Sequence, residues 1–388
     1  MKKPYAIFAI VLVAGLILGA CAQASTTGTT APAATASNAN PAATAAGAKP
    51  ASGEAVQLNG AGATFPLPVY TEWIYAYQSV DPSVTLNYQG IGSGGGKKGI
   101  IDNTIDFAGS DSLLTADEYT RGADLQMYPM IAGAVVPIYN LDGNPAGLVL
   151  DRATLAAIYS GTIKNWNDPA IAKLNPDLAG KLPDKTITAV HRSDGSGTTE
   201  MFTKALASFD PNWKTNVGAG ASVEWPVDKA GNGVGGKGNQ GVAAAVQNTP
   251  NSIGYVELSY ALSNKIPFAK MVNKAGATVT AGASSMAAAM NDFADSFDAK
   301  LTNTIVDAPG KDSWPISGYT YIILHTTTMK DCAKAQKLLG FLNWALTDPG
   351  AAKKAADLGY SVLPDAVRTK VIAKLGEVTC SGAPVLKK

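Results

Sequence analysis

The chain has 388 residues, of which 46% are hydrophobic and 16% charged, enough apolar material for a substantial core without help from disulfides or metals. Its 31 basic and 30 acidic residues nearly cancel. No excess of positive charge marks it for nucleic acid or an anionic surface.

Lys2 and Lys3 precede an uncharged, apolar run from Tyr5 to Ala20, the layout of a signal peptide over residues 1–20. The run is short for the roughly 20 residues that a spanning helix needs. Leu18, Gly19, Ala20 and Cys21 resemble a bacterial lipobox, which implies export, cleavage before Cys21 and a lipid on that cysteine at the outer face of a membrane. Residues 21–54 are then the lipidated N-terminus and a disordered tether of Ala, Thr, Ser, Gly, Pro and Asn, too poor in apolar side chains to offset its ordering entropy.

From Val56 strands and helices alternate, which predicts an α/β protein. Val56 to Asn59 reads as a strand, and Leu67 to Ser79 as a helix with Val69, Trp73 and Tyr77 on one face. Val84, Leu86 and Tyr88 alternate as a strand does. A Gly90 to Gly96 loop separates them from a short helix through Ile100 and Ile101. Ile105 to Ala108 is a strand, and Thr115 with Glu118 spells a capping box. Met130 to Tyr139 is long and apolar, the expected crossing between two lobes, with Trp314 to Leu324 as the return. Between them come the strand Leu148 to Leu150, a helix capped by Asp151, the strand Ile187 to His191 and a helix over Thr199 to Ala207. A glycine-rich stretch from Gly231 to Gly241, a helix through Ala243 to Val246 and the strand Ile253 to Val256 follow. The helix Cys332 to Leu346 belongs to the C-terminal part.

In three places a strand ends in a loop of Gly, Ser and Thr where a helix begins: at Thr64, at Ser93, and at Ser196 to Thr198. Free backbone N–H groups and the helix dipole favour an anion there. Arg192 adds a fork of donors suited to a tetrahedral oxyanion, and Asp194 is placed to hold that fork. Asp111 is the unusual member, because an anion repels a carboxylate unless it still carries a proton to donate. Near neutral pH phosphate keeps at least one proton and sulfate keeps none, so an acceptor among donors admits phosphate and excludes sulfate.

At these residues the chain resembles the phosphate-binding proteins of bacterial phosphate ABC transporters. The motifs GAGATFP (Gly60 to Pro66), YQGIGSGGG (Tyr88 to Gly96), DFAGSD (Asp106 to Asp111), RSDGSGT (Arg192 to Thr198), GGKGNQGVAA (Gly235 to Ala244) and IGYVE (Ile253 to Glu257) match in order. The resemblance runs from about Gly60 to Leu363. It implies a two-lobed periplasmic binding protein-like fold of type II, with a mixed sheet and flanking helices in each lobe and a two-segment hinge. Residues 55–139 with 313–388 would form one lobe and 140–312 the other. It also implies phosphate bound by Thr64, Phe65, Ser93, Asp111, Arg192, Ser196, Gly197 and Thr198, with Asp194 paired to Arg192, and delivery of the ligand to permease subunits. His191 stands where relatives often have a second Arg, and Gly94 where they often have Ser. The body is expected to be monomeric, without metal, cofactor or turnover.

Other patterns compete. Gly90, Gly92 and Gly95 spell G-x-G-x-x-G with Asp111 roughly 20 residues on, a dinucleotide fingerprint, and Gly231, Gly233 and Gly236 repeat the spacing. In an exported, glycine-rich chain that match carries little. Ser196 with His191 would make a hydrolase pair, but Ser196 lacks the G-x-S-x-G elbow and His191 ends a strand. Helix capping alone is the simplest use of Thr64, Ser93 and Ser196. The Gly235 to Gly241 segment either lines the cleft or only shapes a tight turn; the turn is the favoured reading, and no direct ligand contact is assigned to it. Cys332 and Cys380 suit a disulfide in an exported chain, two free thiols being the other reading. With His325 they would make an incomplete zinc site. The six tryptophans read as core.

Overall fold

The computed structural model describes residues 55–386, so the expected signal peptide, the acylated Cys21 and the tether lie outside the described residues. Strands β1 (Val56–Gly62) and β2 (Val84–Gly90) pair in parallel, and β3 (Phe107–Ser110) lies parallel on the other side of β1. The helix Leu67–Tyr77 connects the first two and buries Val69, Trp73 and Tyr77 on one face, as a 3.6-residue period requires. At Thr115 the capping box forms, Glu118 N–H donating to Thr115 Oγ1 at 3.2 Å and Thr115 N–H donating to Glu118 Oε2 at 2.8 Å.

Strand β4 runs from Leu125 to Asn140, longer at both ends than its apolar centre suggests, and only Gln126 and Asn140 escape full burial. Covered on both faces, such a strand reads as a continuous apolar run. Then come β5 (Val149–Asp151), which forms a small separate sheet with Lys270–Val272 and Thr278–Val279, β6 (Thr188–Arg192), β7 (Gly233–Gly236) and β8 (Ser252–Glu257).

The main sheet has the order β2, β1, β3, the return strand Ser317–His325, β4, β8, β6, β7, with the short strand Ser361–Val362 also on β4. β4 changes partner in its middle. Leu125 to Ala134 pair antiparallel with the return strand, and Val135 to Asn140 pair antiparallel with β8. At the change Val135 N–H donates to Ile316 O at 2.8 Å and Trp314 Nε1–H donates to Val135 O at 2.9 Å. One sheet is thus divided into two halves, each mixed and each flanked by helices. This is the α/β architecture that the alternation of elements predicts, in the two-lobed form that the resemblance implies.

Two expected loops are partly helix or strand. The helix Ser93–Ile101 begins inside the glycine run, and Gly231 to Gly241 contains β7 and the start of the helix Gly238–Asn248. Packing overrides the poor helix propensity of glycine here. A Cβ on Gly96 would sit 2.6 Å from Gly62 Cα and 2.8 Å from Ala61 O, so only glycine lets this helix lie directly on β1.

Cys332 and Cys380 form a disulfide, with sulfurs 2.03 Å apart, that ties the start of the helix Cys332–Thr347 to the strand Thr379–Cys380. Trp73, Trp166, Trp213, Trp225 and Trp314 are buried in the core, and Trp344 packs against it beside Tyr77 and Phe341. Among the described residues no helix is long and apolar enough to cross a membrane.

Candidate functional site

The C-terminal ends of β1, β3 and β6 converge, which is where open α/β sheets present their loops. Thr64 and Phe65 follow β1, Asp111 follows β3, and Arg192 ends β6. Ser93 opens the helix Ser93–Ile101, and Ser196 precedes the helix Gly197–Phe209. Thr64, Phe65, Ser93, Asp111, Arg192, Ser196 and Thr198 are all buried, and Asp194 partly so. Capping accounts for only one of the three hydroxyls: Thr199 N–H donates to Ser196 Oγ at 3.0 Å, whereas the helices beginning at Leu67 and Ser93 have no side-chain cap.

The two halves of the molecule meet here. Ser93 Oγ accepts the N–H of Asp111 at 3.2 Å and that of Gly197 at 3.1 Å, while Gly94 N–H donates to Gly195 O at 3.0 Å. Gly197 lies so close to the Asp111 loop that a Cβ would stand 2.4 Å from Asp111 Cβ and 2.5 Å from Ser112 N. Arg192 and Asp194 form a two-pronged pair, Nε to Oδ1 at 2.7 Å and Nη2 to Oδ2 at 2.5 Å. Asp194 Oδ1 also accepts Gly238 N–H at 3.0 Å. Burial works to raise the Asp194 carboxyl, but the guanidinium outweighs it and holds the group below the usual carboxylate range.

Asp111 has the opposite balance. Burial pushes its carboxyl up to about 7, against the hydrogen bonds from Thr320 and Ser93 and the positive charge of Arg192. Thr320 Oγ1 donates to Asp111 Oδ1 at 2.8 Å, and Ser93 Oγ stands 3.5 Å from Oδ2. A carboxyl poised near neutrality among hydroxyl, amide and guanidinium donors suits a ligand that is anionic yet still protonated.

Several site groups escape the sequence reading. Asn239 is fully buried, and its side-chain amide spans the site: Nδ2 donates to Thr64 Oγ1 at 2.9 Å and to Thr198 Oγ1 at 3.1 Å. Asn239 lies in the Gly235 to Gly241 segment, which therefore lines the site as well as turning the chain. Its motif is the one available signal, and a lone Asn among glycines reads as turn chemistry. Thr320, in the middle of the buried return strand, is legible only as a hydroxyl that must find a partner. Behind the site Tyr260 Oη donates to Thr64 O at 2.5 Å, and Tyr360 Oη, 2.6 Å from Phe65 O, also reaches Glu257 Oε2 at 2.8 Å. Burial pushes Glu257 up to about 8 despite hydrogen bonds from Ser259 and Tyr360, and the nearby Asp111 adds to the rise.

The competing patterns are used otherwise. A Cβ on Gly92 would meet Asp194 Oδ2 at 2.3 Å, so the glycine run that could cradle a pyrophosphate is packed against the Asp194–Gly195 backbone and side chain instead. His191 has Nε2 2.8 Å from Asp228 Oδ1 and Nδ1 3.0 Å from Arg192 O, and it stacks on Trp225, so both ring nitrogens are engaged away from Ser196. His325 Nδ1 lies 2.6 Å from Asp124 Oδ1, and the two cysteines that the discounted zinc site would need are in the disulfide. No cluster of His, Cys, Asp and Glu with the makings of a metal site occurs among the described residues.

Two halves of a mixed α/β sheet with a polar site at their meeting point define a binding protein of the two-lobed class, and the PBP superfamily domain matches residues 25–349. The Phosphate-binding protein PstS of Xylella fastidiosa (strain 9a5c) is 44% identical over 313 residues, covering 80% of this chain and 82% of that relative. Its counterpart in Pasteurella multocida (strain Pm70) is 44% identical over 327 residues, 83% of this chain and 90% of the relative. The chain belongs to the PstS family of phosphate-binding proteins. Among solved structures, a high affinity periplasmic phosphate-binding protein bound with phosphate at pH 8.5 shares the fold at a TM-score of 0.66 and 23% identity, covering 82% of this chain and 93% of the other. The phosphate binding protein from Stenotrophomonas maltophilia does so at 0.62 and 22%, covering 85% and 99%.

Proposed function

We propose that the protein binds inorganic phosphate between its two lobes and delivers it to the permease subunits of a phosphate ABC transporter, without chemical turnover. The observation that carries this reading is Asp111, a buried acceptor near its titration point among donors, facing an Arg192 already neutralised by Asp194. Thr64, Ser93, Ser196 and Thr198 supply hydroxyls, Phe65 and Gly197 supply amides, and Arg192 supplies guanidinium N–H donors. Asp111 accepts a hydrogen bond from the ligand's proton, and Asp194 fixes the guanidinium without contacting the anion. In this reading residues 55–139 with 313–388 move as one lobe and 140–312 as the other, joined by the two crossing segments Met130 to Tyr139 and Trp314 to Leu324. The signal peptide would direct export, and after its removal the lipid on Cys21 would keep the exported body beside its permease.

Titration calorimetry on the purified, phosphate-free protein tests the reading. One phosphate should bind per chain at neutral pH, sulfate should give no heat, and a body lacking residues 1–54 should behave identically. Absence of phosphate binding, or equal affinity for sulfate, would sink it. Cleavage of a chromogenic phosphate ester that Ser196→Ala abolishes would instead mark an enzyme. Gly197→Ala gives a geometric check. Its methyl must push the Asp111 backbone away and open the Gly197 N–H to Ser93 Oγ contact, so phosphate affinity should fall at least about a hundredfold while the melting temperature changes little.

A further inference from the structure

Hydroxyl groups are ambivalent, each able to donate one proton and accept at two lone pairs. A site for a phosphate oxygen needs them as donors, and something must decide which way their protons point. The surroundings of Asn239 make that decision for two of them.

The orientation of the Asn239 amide is fixed by chemistry. Glu257 N–H can only donate, and it reaches Asn239 Oδ1 at 2.9 Å. The NH2 end therefore faces the site, one proton toward Thr64 Oγ1 at 2.9 Å and the other toward Thr198 Oγ1 at 3.1 Å. Asn239 N–H adds a second donor to Thr64 Oγ1 at 3.1 Å. Arg192 Nη1 lies 3.5 Å from Thr198 Oγ1 and adds a second there. Each hydroxyl then has both lone pairs facing donors. Its own proton has to point elsewhere.

We infer that Asn239 is a positioning residue that turns the hydroxyls of Thr64 and Thr198 into obligate donors toward the bound anion, one from each half of the molecule. The inference rests on the phosphate reading above. Because the amide bridges β1's loop and the helix Gly197–Phe209, it also sets the distance between the two donors. Its own nitrogens are spent on the hydroxyls, so it acts through them.

Phosphate titrations of the purified full chain, with melting temperatures recorded for each variant, test this by double-mutant cycles. Asn239→Ala should weaken phosphate binding about 10- to 100-fold in the native background, since each freed hydroxyl can turn its proton away. In the Thr64→Val and Thr198→Val backgrounds, where one hydroxyl is already gone, the loss caused by Asn239→Ala should shrink at least threefold. The same fold-loss in all three backgrounds would mean a structural role and would overturn the inference. Asn239→Asp keeps the volume and the acceptor for Glu257 N–H but presents an oxygen to both hydroxyls. It should bind phosphate more weakly than Asn239→Ala, and native affinity in this variant would also overturn the inference. Failure of the unmutated protein to bind phosphate would refute the phosphate reading itself, an outcome distinct from these.

Discussion

Asp111→Ala lowers phosphate affinity by about a thousandfold at neutral pH, the largest loss expected from any single uncharged replacement in the site. Two costs combine. The charge-assisted hydrogen bond between the ligand's proton and the carboxylate disappears, and that proton is left buried without an acceptor. Sites that bury a polar group against a missing partner discriminate by such large factors. Asp111→Asn separates the two functions of the carboxylate. The amide can turn its NH2 toward the ligand, so an anion without a proton loses its penalty, and the preference for phosphate over sulfate should collapse toward parity. Calorimetry with both anions on both variants measures this. Undiminished selectivity in Asp111→Asn would refute the role of Asp111 as proton acceptor.

The second large effect concerns stability in the absence of ligand. Burial raises Asp111 to about 7 from an ordinary value near 4. Below about pH 4 the group is protonated in folded and unfolded chains alike. Between about pH 4 and 7 the folded chain holds the proton more tightly, so stability falls as pH rises, and above pH 7 the full cost of a buried charge is present. Asp111→Asn carries no such charge. Its melting temperature should match that of the native protein near pH 4 and exceed it progressively up to about pH 8, where the gap corresponds to about 4 kcal/mol. The charged groups around this carboxyl are Arg192, which favours its ionised form, and Glu200, which opposes it. Glu257, raised to about 8 with Asp111 among the causes, should titrate at slightly lower pH in the variant. A gap that is constant with pH would show that Asp111 does not titrate in this range.

Much of the site is legible in the sequence because its parts are local. A strand followed by Gly-Ser-Thr and a helix start announces donors without any tertiary information, and Arg192 with Asp194 two residues on announces a held guanidinium. Asp111 stands out for its sign. What escapes is what depends on contacts from distant segments. Asn239 reaches Thr64 across 175 residues of chain and Thr320 reaches Asp111 across 209, and neither residue type is unusual in its own neighbourhood. That the glycine run Gly94 to Gly96 is already helical is hidden for the same reason, since glycine spells loop until Gly62 and Ala61 are seen to lie against it. Strand β7 is built of Gly233, Val234, Gly235 and Gly236, a composition with almost no strand propensity, and it exists because β6 supplies a parallel partner. The length of β4 beyond its apolar centre likewise comes from its two successive partners, not from local pattern.

The same distinction separates Ser196 from Thr64 and Ser93. By sequence all three are helix-capping residues. In three dimensions Ser196 does cap, and by accepting from Thr199 N–H it keeps its proton free to donate, so capping and ligand binding are compatible in one hydroxyl. Thr64 and Ser93 instead point across the meeting of the two halves, where Asn239, Gly197 and Asp111 engage them.

A crystal structure of the protein grown with phosphate is the most direct test of the central claim. Density for one tetrahedral anion in contact with Thr64, Asp111 and Arg192, with Asp194 still paired to the guanidinium, is the predicted result. Phosphate bound elsewhere with these residues in contact only with one another would contradict it.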